Sequence, residues 1–358
     1  MKKVVLCLLL CVVITGFAFS KGGSQPSSAS ATGNVAFLSD STGLNNGAFF
    51  ENVPKATKNY KIANITRTLM NAHWIKEKEG FEAAARQYGV TGTTFAVQSE
   101  ADVMEQANML ENVINSGFDA IAVSPITEQN LLPGLAKATA AGIIIINIDT
   151  AEIAPDAARA NNIKITSFIG SDNFYAGGIA AEYISKVLGS KSGKVAVIEG
   201  MPGDTCAIAR TSGFAEKAKT LPNLTLVASQ TARWDRLEAL NVTTSVLRAN
   251  PDIMGIYCNN DTMVLGAMEA AADLGYTILT TDNLNRVGQA KTLILIGNDG
   301  IQEALDAVRN GELTGSIAQK PFLMGYAAIE ASITALEGKT PTARIATPIM
   351  LVTKSDYQ

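Results

Sequence analysis

The run GIIIINID, Gly142 to Asp149, is apolar from Ile143 through Ile146 with no alternation of inward and outward residues. A strand of that kind has both faces buried, which requires helices on both sides of its sheet. The run is one of a series. From about Tyr60 the chain alternates short apolar runs with longer helical patterns: KIANIT, TTFAV, DAIAVSP, GIIIINID and ITSFIGSD, then KVAVIEG, LTLVASQ, IMGIYCNND, LILIGNDG and SIAQKP. Among the helical patterns, Val103, Ala107, Leu110 and Ile114 recur on one face, able to cover a sheet. The alternation predicts an α/β fold of parallel, doubly wound sheets.

The chain begins MKKVVLCLLLCVVITGFAFSKGG: two lysines, an apolar run from Val4 to Ile14, and small residues at Ala18 and Ser20. This pattern predicts a secretory signal peptide over residues 1–20, and the apolar run is shorter than the roughly 20 residues of a membrane span. Cys7 and Cys11 lie inside it, but Leu10 is bulkier than the residue that precedes a lipid-attachment cysteine, which argues against an anchor. The expected protein is exported. KGGSQPSSASAT, Lys21 to Thr32, reads as a flexible tether. Removing Lys2 and Lys3 from 29 basic residues leaves 27 against 33 acidic ones, so the net charge moves from −4 to −6, which argues against a nucleic-acid partner. The 338 residues after Ser20 exceed what one core supports, so two lobes are expected.

In doubly wound folds ligands bind outside the C-terminal ends of the strands. The residues found there are polar: Thr66 and Arg67 with Asn71, Ser124, Asn147 and Asp149, Asp172, Asn260 and Asp261, Asn298 and Asp299, and Gln319, with Arg210 one loop beyond VAVIEG. Singly, Asp149 and Asp299 read as turn residues, and Asp261 is expected to cap the helix that begins near Met263, leaving Asn260 free to face the crevice. Taken together with Arg67, Arg210, Asn71, Asn260 and Gln319, the two carboxylates form a set of planar donors and acceptors suited to adjacent hydroxyl groups. Trp74 and Trp234, each just past a strand, are flat rings able to sandwich the C–H faces of a sugar.

The only histidine, His73, has neither the companions a metal site needs nor a nucleophile to activate. No G-x-S-x-G, G-x-G-x-x-G or phosphate loop is present. His73 therefore reads as a wall residue, and no catalytic group, metal or cofactor is expected. Cys206 and Cys258, on separate predicted elements, read as buried free thiols.

NITRTLMNAHW, INID, the Ala209-Arg210 pair, LVASQTARWDRLEALNV, IYCNNDTM, IGNDGIQEA and SIAQKP together resemble the type I periplasmic sugar-binding proteins, most nearly the D-allose- and ribose-binding group. The resemblance runs from about Tyr60 to the C-terminus. It implies a site of Arg67, Asn71, His73, Trp74, Asp149, Arg210, Trp234, Asn260, Asp299 and Gln319. His73 replaces an aromatic residue, usually phenylalanine, and Arg67 replaces the lysine of the allose-type proteins. It also implies lobes of residues 60–171 with 320–346 and 172–319 with 347–358, crossed near Ser171-Asp172, Gln319-Lys320 and Ile345-Pro348. Tyr276 to Lys291 reads as a surface insertion.

Val35 to Val53 resembles instead the first strand and ligand loop of nucleoside-binding lipoproteins; residues 21–59 are treated as tether plus an extension of unassigned packing. The expected function is capture of a monosaccharide and its delivery to the membrane subunits of an ABC-type permease, with a nucleoside as the alternative ligand. A chemoreceptor is a further partner on which the sequence is silent. A sugar-responsive repressor of the same fold would need a DNA-binding helix-turn-helix where the signal and tether stand.

Overall fold

The structure, a computed structural model, describes residues 37–357 apart from Glu128, Thr150 and Ala151. The signal peptide, with Cys7 and Cys11, and the Ser/Gly tether lie outside the described residues. No described helix is long and apolar enough to cross a membrane.

The chain first lays down β1 (Lys61–Thr68), α1 (Ala72–Tyr88), β2 (Thr91–Val97), α2 (Val103–Ile114), β3 (Ala120–Val123), α3 (Leu132–Ala140), β4 (Ile144–Ile148), α4 (Pro155–Ala160) and β5 (Ser167–Ser171). It continues with α5 (Asn173–Leu188), β6 (Gly193–Glu199), α6 (Thr205–Thr220), β7 (Leu224–Thr231), α7 (Arg236–Ala249), β8 (Ile253–Cys258), α8 (Asp261–Asp273), β9 (Thr277–Ile278), β10 (Thr292–Asp299), α9 (Gln302–Asn310) and β11 (Gly315–Ala318). Last come α10 (Pro321–Leu336), β12 (Arg344–Thr347) and β13 (Met350–Thr353).

One sheet runs β12-β5-β4-β3-β1-β2, the other β13-β11-β10-β8-β6-β7 with β9 beside β10. Leaving out the edge strands β12 and β13, the two orders are the same, and each reverses direction beside its first strand, β1 or β6. That reversal opens a crevice at the C-terminal ends of the strands, where ligands bind in folds of this class. The first sheet is parallel throughout. The second departs from expectation at one edge, where β13 runs antiparallel to β11. Only Pro348 and Ile349 separate β12 from β13, which lie in different sheets, so the chain passes from one sheet to the other there.

Each sheet has a core on both faces, as its unalternating strands require. In the first lobe Ile62, Phe81 and Ile148 lie on one side, and Ile65, Leu110 and Leu135 on the other. The apolar face of α2 is centred on Leu110 as the spacing predicted, but Gln106 and Val113 are its other buried residues. Gln106 earns burial by hydrogen bonds: its amide donates to Thr66 O and Ser124 O and its oxygen accepts from Ile126 N, tying the ends of β1 and β3 together. In the second lobe α6 lies tightly on α5, because a Cβ on Gly177 would meet Arg210 O at 2.0 Å and one on Gly213 would meet Phe174 O at 1.9 Å. The same close approach fixes where Arg210 sits. The Tyr276 to Lys291 segment is more than a surface insertion: it supplies β9, and Leu279 and Thr280 within it are buried.

The extension before Tyr60 has a defined place. β1 is already paired on both edges, by β2 and β3, so no position beside it is open to another strand. Val35 to Val53 accordingly forms turns, with a single bridge between Asn45 and Ala48, over its described part. Its cover is needed by α10, whose sequence PFLMGYAAIEASITAL is apolar on every side and has 11 of 16 residues buried. Leu44, Phe49, Phe50 and Val53 pack against the first-lobe cluster that contains α10. Phe37 and Leu38 pack against Leu305, Ala318 and Val352 of the second lobe, and Lys320 Nζ donates to Ser39 O at 2.8 Å. Glu330, fully buried in the middle of α10, accepts from Phe49 N, Phe50 N and the Tyr88 hydroxyl. Glu330→Ala strands those donors and is expected to lower stability by about 2–3 kcal/mol. Urea denaturation checks this; a loss below about 0.5 kcal/mol, typical of a surface change, would contradict it.

Candidate functional site

A partly open cleft lies between the facing strand ends, with about 320 Å³ of empty space when the solvent at its mouth is included. Arg67, Asn71, His73, Trp74, Glu100 and Asp149 line it from the first lobe; Cys206, Arg210, Trp234, Asn260 and Asp299 line it from the second. Every sequence-predicted site residue except Gln319 is on this wall. Gln319 stands beside it and donates from Nε2 to Asp299 Oδ1 at 2.7 Å.

The two carboxylates occupy equivalent positions. Asp149 follows β4 and Asp299 ends β10, which have the same place in the two sheet orders. Both have positive φ, 61° and 122°, a region non-glycine residues seldom occupy, and the turn there directs each side chain out of the strand's alternation. Each is also met by a cation from the helix after its lobe's first strand. His73, in the first turn of α1, is 2.6 Å from Asp149 Oδ2. Arg210, on α6, donates to Asp299 Oδ1 at 3.1 Å, and to Asn173 Oδ1 and Asn259 O.

His73 is thus more than the wall residue its sequence context suggested. Burial disfavours its imidazolium, but Asp149, with Asp299 and Glu77 nearby, outweighs burial and pushes it up to about 9. Asp149 is correspondingly held ionised: burial opposes its charge, and His73, ahead of Arg210 and Arg67, overcomes this. Beneath the pair Glu77, fully buried, accepts from Asn64 and Ser124; burial and Asp149 push its carboxyl up to about 7.

Asn71 and Asn260 combine two duties. Asn71 Oδ1 caps α1 by accepting from His73 N, and Asn260 Oδ1 caps α8 by accepting from Met263 N. Here the sequence reading is corrected: Asp261 is not the cap. It is buried and accepts from Gly300 N, Ile301 N and Ser316 Oγ, pinning the turn that carries Asp299.

Trp74 stands at right angles to His73, ring centroids 4.9 Å apart, and its indole donates to Glu100 at 2.7 Å. Trp234 has φ of 66°, uncommon for so large a side chain, and its ring lies against Gly200, where a Cβ would overlap it at 2.1 Å. Glu100 and Cys206 were missed by sequence reasoning. Glu100 lies just past the end of β2, a strand end whose polar residues were not surveyed, whereas Cys206 carried no polar signal. Cys206 and Cys258 are buried free thiols, as expected, and burial pushes both well up.

Four buried polar atoms of this site have no protein partner: Asp149 Oδ1, His73 Nδ1, Trp234 Nε1 and Gln319 Oε1. They comprise two acceptors and, with His73 protonated, two donors.

The His73–Asp149 pair predicts a pH dependence. The folded imidazole titrates near 9 against 6.5 when unfolded, so its contribution is complete below about 6.5 and is lost as pH rises through about 9. Glu77, raised to about 7, lowers stability over a lower window, as pH rises from 4.5 to 7. Urea denaturation from pH 7 to 9 should therefore show a fall on the order of 1–3 kcal/mol in the wild type that is largely lost in His73→Phe. Equal slopes in the two proteins would contradict the pairing.

Comparison with known proteins agrees with the fold. Residues 62–340 match the periplasmic binding protein domain family. The D-allose-binding periplasmic protein of Escherichia coli is 36% identical over 275 residues, covering 77% of this chain and 84% of that protein. The ribose import binding protein of Bacillus subtilis is 31% identical over 297 residues, covering 83% and 88%. The crystal structure of a periplasmic solute-binding protein of an ABC transporter from Actinobacillus succinogenes, with bound D-allose, superimposes with a TM-score of 0.75 at 31% identity, over 83% of this chain and 98% of that one. None of these three supports the nucleoside alternative. Two sheets of one order, facing strand ends and a match across residues 62–340 lead to one conclusion: the chain belongs to the periplasmic binding protein domain family.

Proposed function

We propose that this is an exported solute-binding protein that holds one neutral monosaccharide, an aldose of the allose or ribose kind, between its lobes and delivers it to an ABC-type sugar permease. The observation that carries the reading is the set of partnerless buried atoms around this cleft. Leaving each unmade costs about 1–3 kcal/mol, and vicinal hydroxyls, which donate and accept at once, satisfy both kinds. The nature of the relatives supports delivery to membrane transport subunits, and a binding role rather than catalysis.

In this reading Asp149 and Asp299 accept from hydroxyl groups on opposite lobes, His73, Arg210, Asn71 and Asn260 supply the complementary contacts, and Trp74 and Trp234 cover the faces of the ring. Gln319 holds Asp299, and Arg67 bounds the cavity. Closure removes water from these bonds and strengthens them.

Both tryptophans line the cavity, so binding can be read from their emission. Titration with D-allose, D-ribose, D-xylose, D-glucose, D-galactose and several nucleosides is expected to give a saturable emission change for an aldose. Stabilisation should reach about 2.7 kcal/mol at a hundredfold excess over Kd. Asp299→Ala should weaken the affinity on the order of tenfold to a hundredfold, through loss of the carboxylate's hydrogen bonds to the sugar hydroxyls. A flat response to every aldose with a response to a nucleoside would overturn the sugar reading.

A further inference from the structure

Arg67 lines the cavity, yet all five of its N–H groups are taken up by protein. Nε donates to Pro125 O at 3.0 Å, Nη2 to Pro125 O at 2.7 Å and Ile126 O at 3.3 Å, and Nη1 to Glu100 Oε2 at 3.3 Å and Asp204 Oδ2 at 2.6 Å. The first four bonds lie within the first lobe. The fifth crosses to the second, and both of its partners are almost wholly buried, 2% and 1% exposed.

Asp204 is placed for this contact by its own helix. It is the N-cap of α6, and its Oδ1 accepts from Cys206 N at 2.7 Å and Ala207 N at 3.3 Å, so Oδ2 is held toward the opposite lobe. Among the described residues, the buried ion pairs His73–Asp149 and Arg210–Asp299 each lie within one lobe. Separation of the lobes leaves those pairs intact and breaks Arg67–Asp204. The pair is also tied to the site on both sides: Glu100, which shares Arg67, accepts from the Trp74 indole through its other oxygen, and Asp204 caps the helix that carries Arg210.

We propose that Asp204 is a positioning residue for lobe closure: its carboxylate latches Arg67 across the cleft, and Arg67 serves this latch instead of donating to the sugar. The kinetic consequence rests on the sugar-binding reading; the latch itself does not. Because the contact exists only in the closed arrangement, its loss acts on escape of ligand and on the closed population without ligand, and leaves encounter unchanged.

The test compares the purified wild type with Asp204→Asn, whose amide oxygen keeps the helix cap, and Asp204→Ser, a second good cap too short to reach Arg67. Small-angle scattering without ligand is expected to show a larger radius of gyration in both variants. Stopped-flow tryptophan emission with D-allose is expected to show koff raised on the order of tenfold and kon within about twofold, a smaller loss than for a wholly orphaned charge because Glu100 still accepts from Arg67. In the Arg67→Met background, Asp204→Asn should add little to either effect. Unchanged scattering and unchanged koff in both Asp204 variants would overturn the proposal. If no tested sugar binds the wild type, the sugar reading fails, and ligand-free scattering alone decides the latch: a radius of gyration equal to wild type overturns it.

Discussion

The site depends on holding two buried carboxylates, each against a cation. An isolated buried charge costs far more than a fold of this size can carry, so each must be paired where it stands. The two lobes solve this in the same way. A strand end in left-handed backbone turns Asp149 or Asp299 toward the cleft, and a cation on the helix after the first strand, His73 or Arg210, meets it there. Because the two sheets have one strand order, the two pairs face each other across the cavity. The pairing leaves Asp149 Oδ1 and His73 Nδ1 unused, and these are the atoms through which a hydroxyl-bearing ligand can be recognised.

In the proposed closure the scaffold holds those pairs still within each lobe while the lobes come together. Within the second lobe, the tight seating of α6 on α5 at Gly177 and Gly213 sets the height of Arg210, and Asp261 clamps the turn of Asp299. Between the lobes, the chain crosses after β5, after β11 and after β12, which favours a guided hinge closure over free tumbling. The extension packs beside the second of these crossings and touches both lobes, so the segment that most resembled a ligand loop in sequence is a structural strap in the fold.

Much of this was legible in the sequence because it is local. Unalternating runs such as IIIIN announce strands buried on both faces, and residues just past a strand's end must lie at the crevice of a doubly wound sheet. That rule located Arg67, Asp149, Asn260 and Asp299 without any knowledge of their partners. The partners were hidden because they are distant in the chain: His73 is 76 residues from Asp149, Arg67 is 137 from Asp204, and Phe49 is 281 from Glu330. His73 looked like a wall because its chemistry comes from a carboxylate on another strand. The cap of α8 was assigned to Asp261 instead of Asn260 because capping is decided by backbone geometry at a single residue, which composition does not resolve.

The most direct test of the central claim is the crystal structure of the protein soaked or grown with D-allose, or with whichever aldose saturates the tryptophan signal. The account predicts one pyranose or furanose ring between Trp74 and Trp234, with hydroxyl oxygens within hydrogen-bond distance of Asp149 Oδ1 and of the Asp299 carboxylate, and with His73 Nδ1 newly partnered. A sugar bound outside this cavity, or one inside it that makes no contact with either carboxylate, would contradict it.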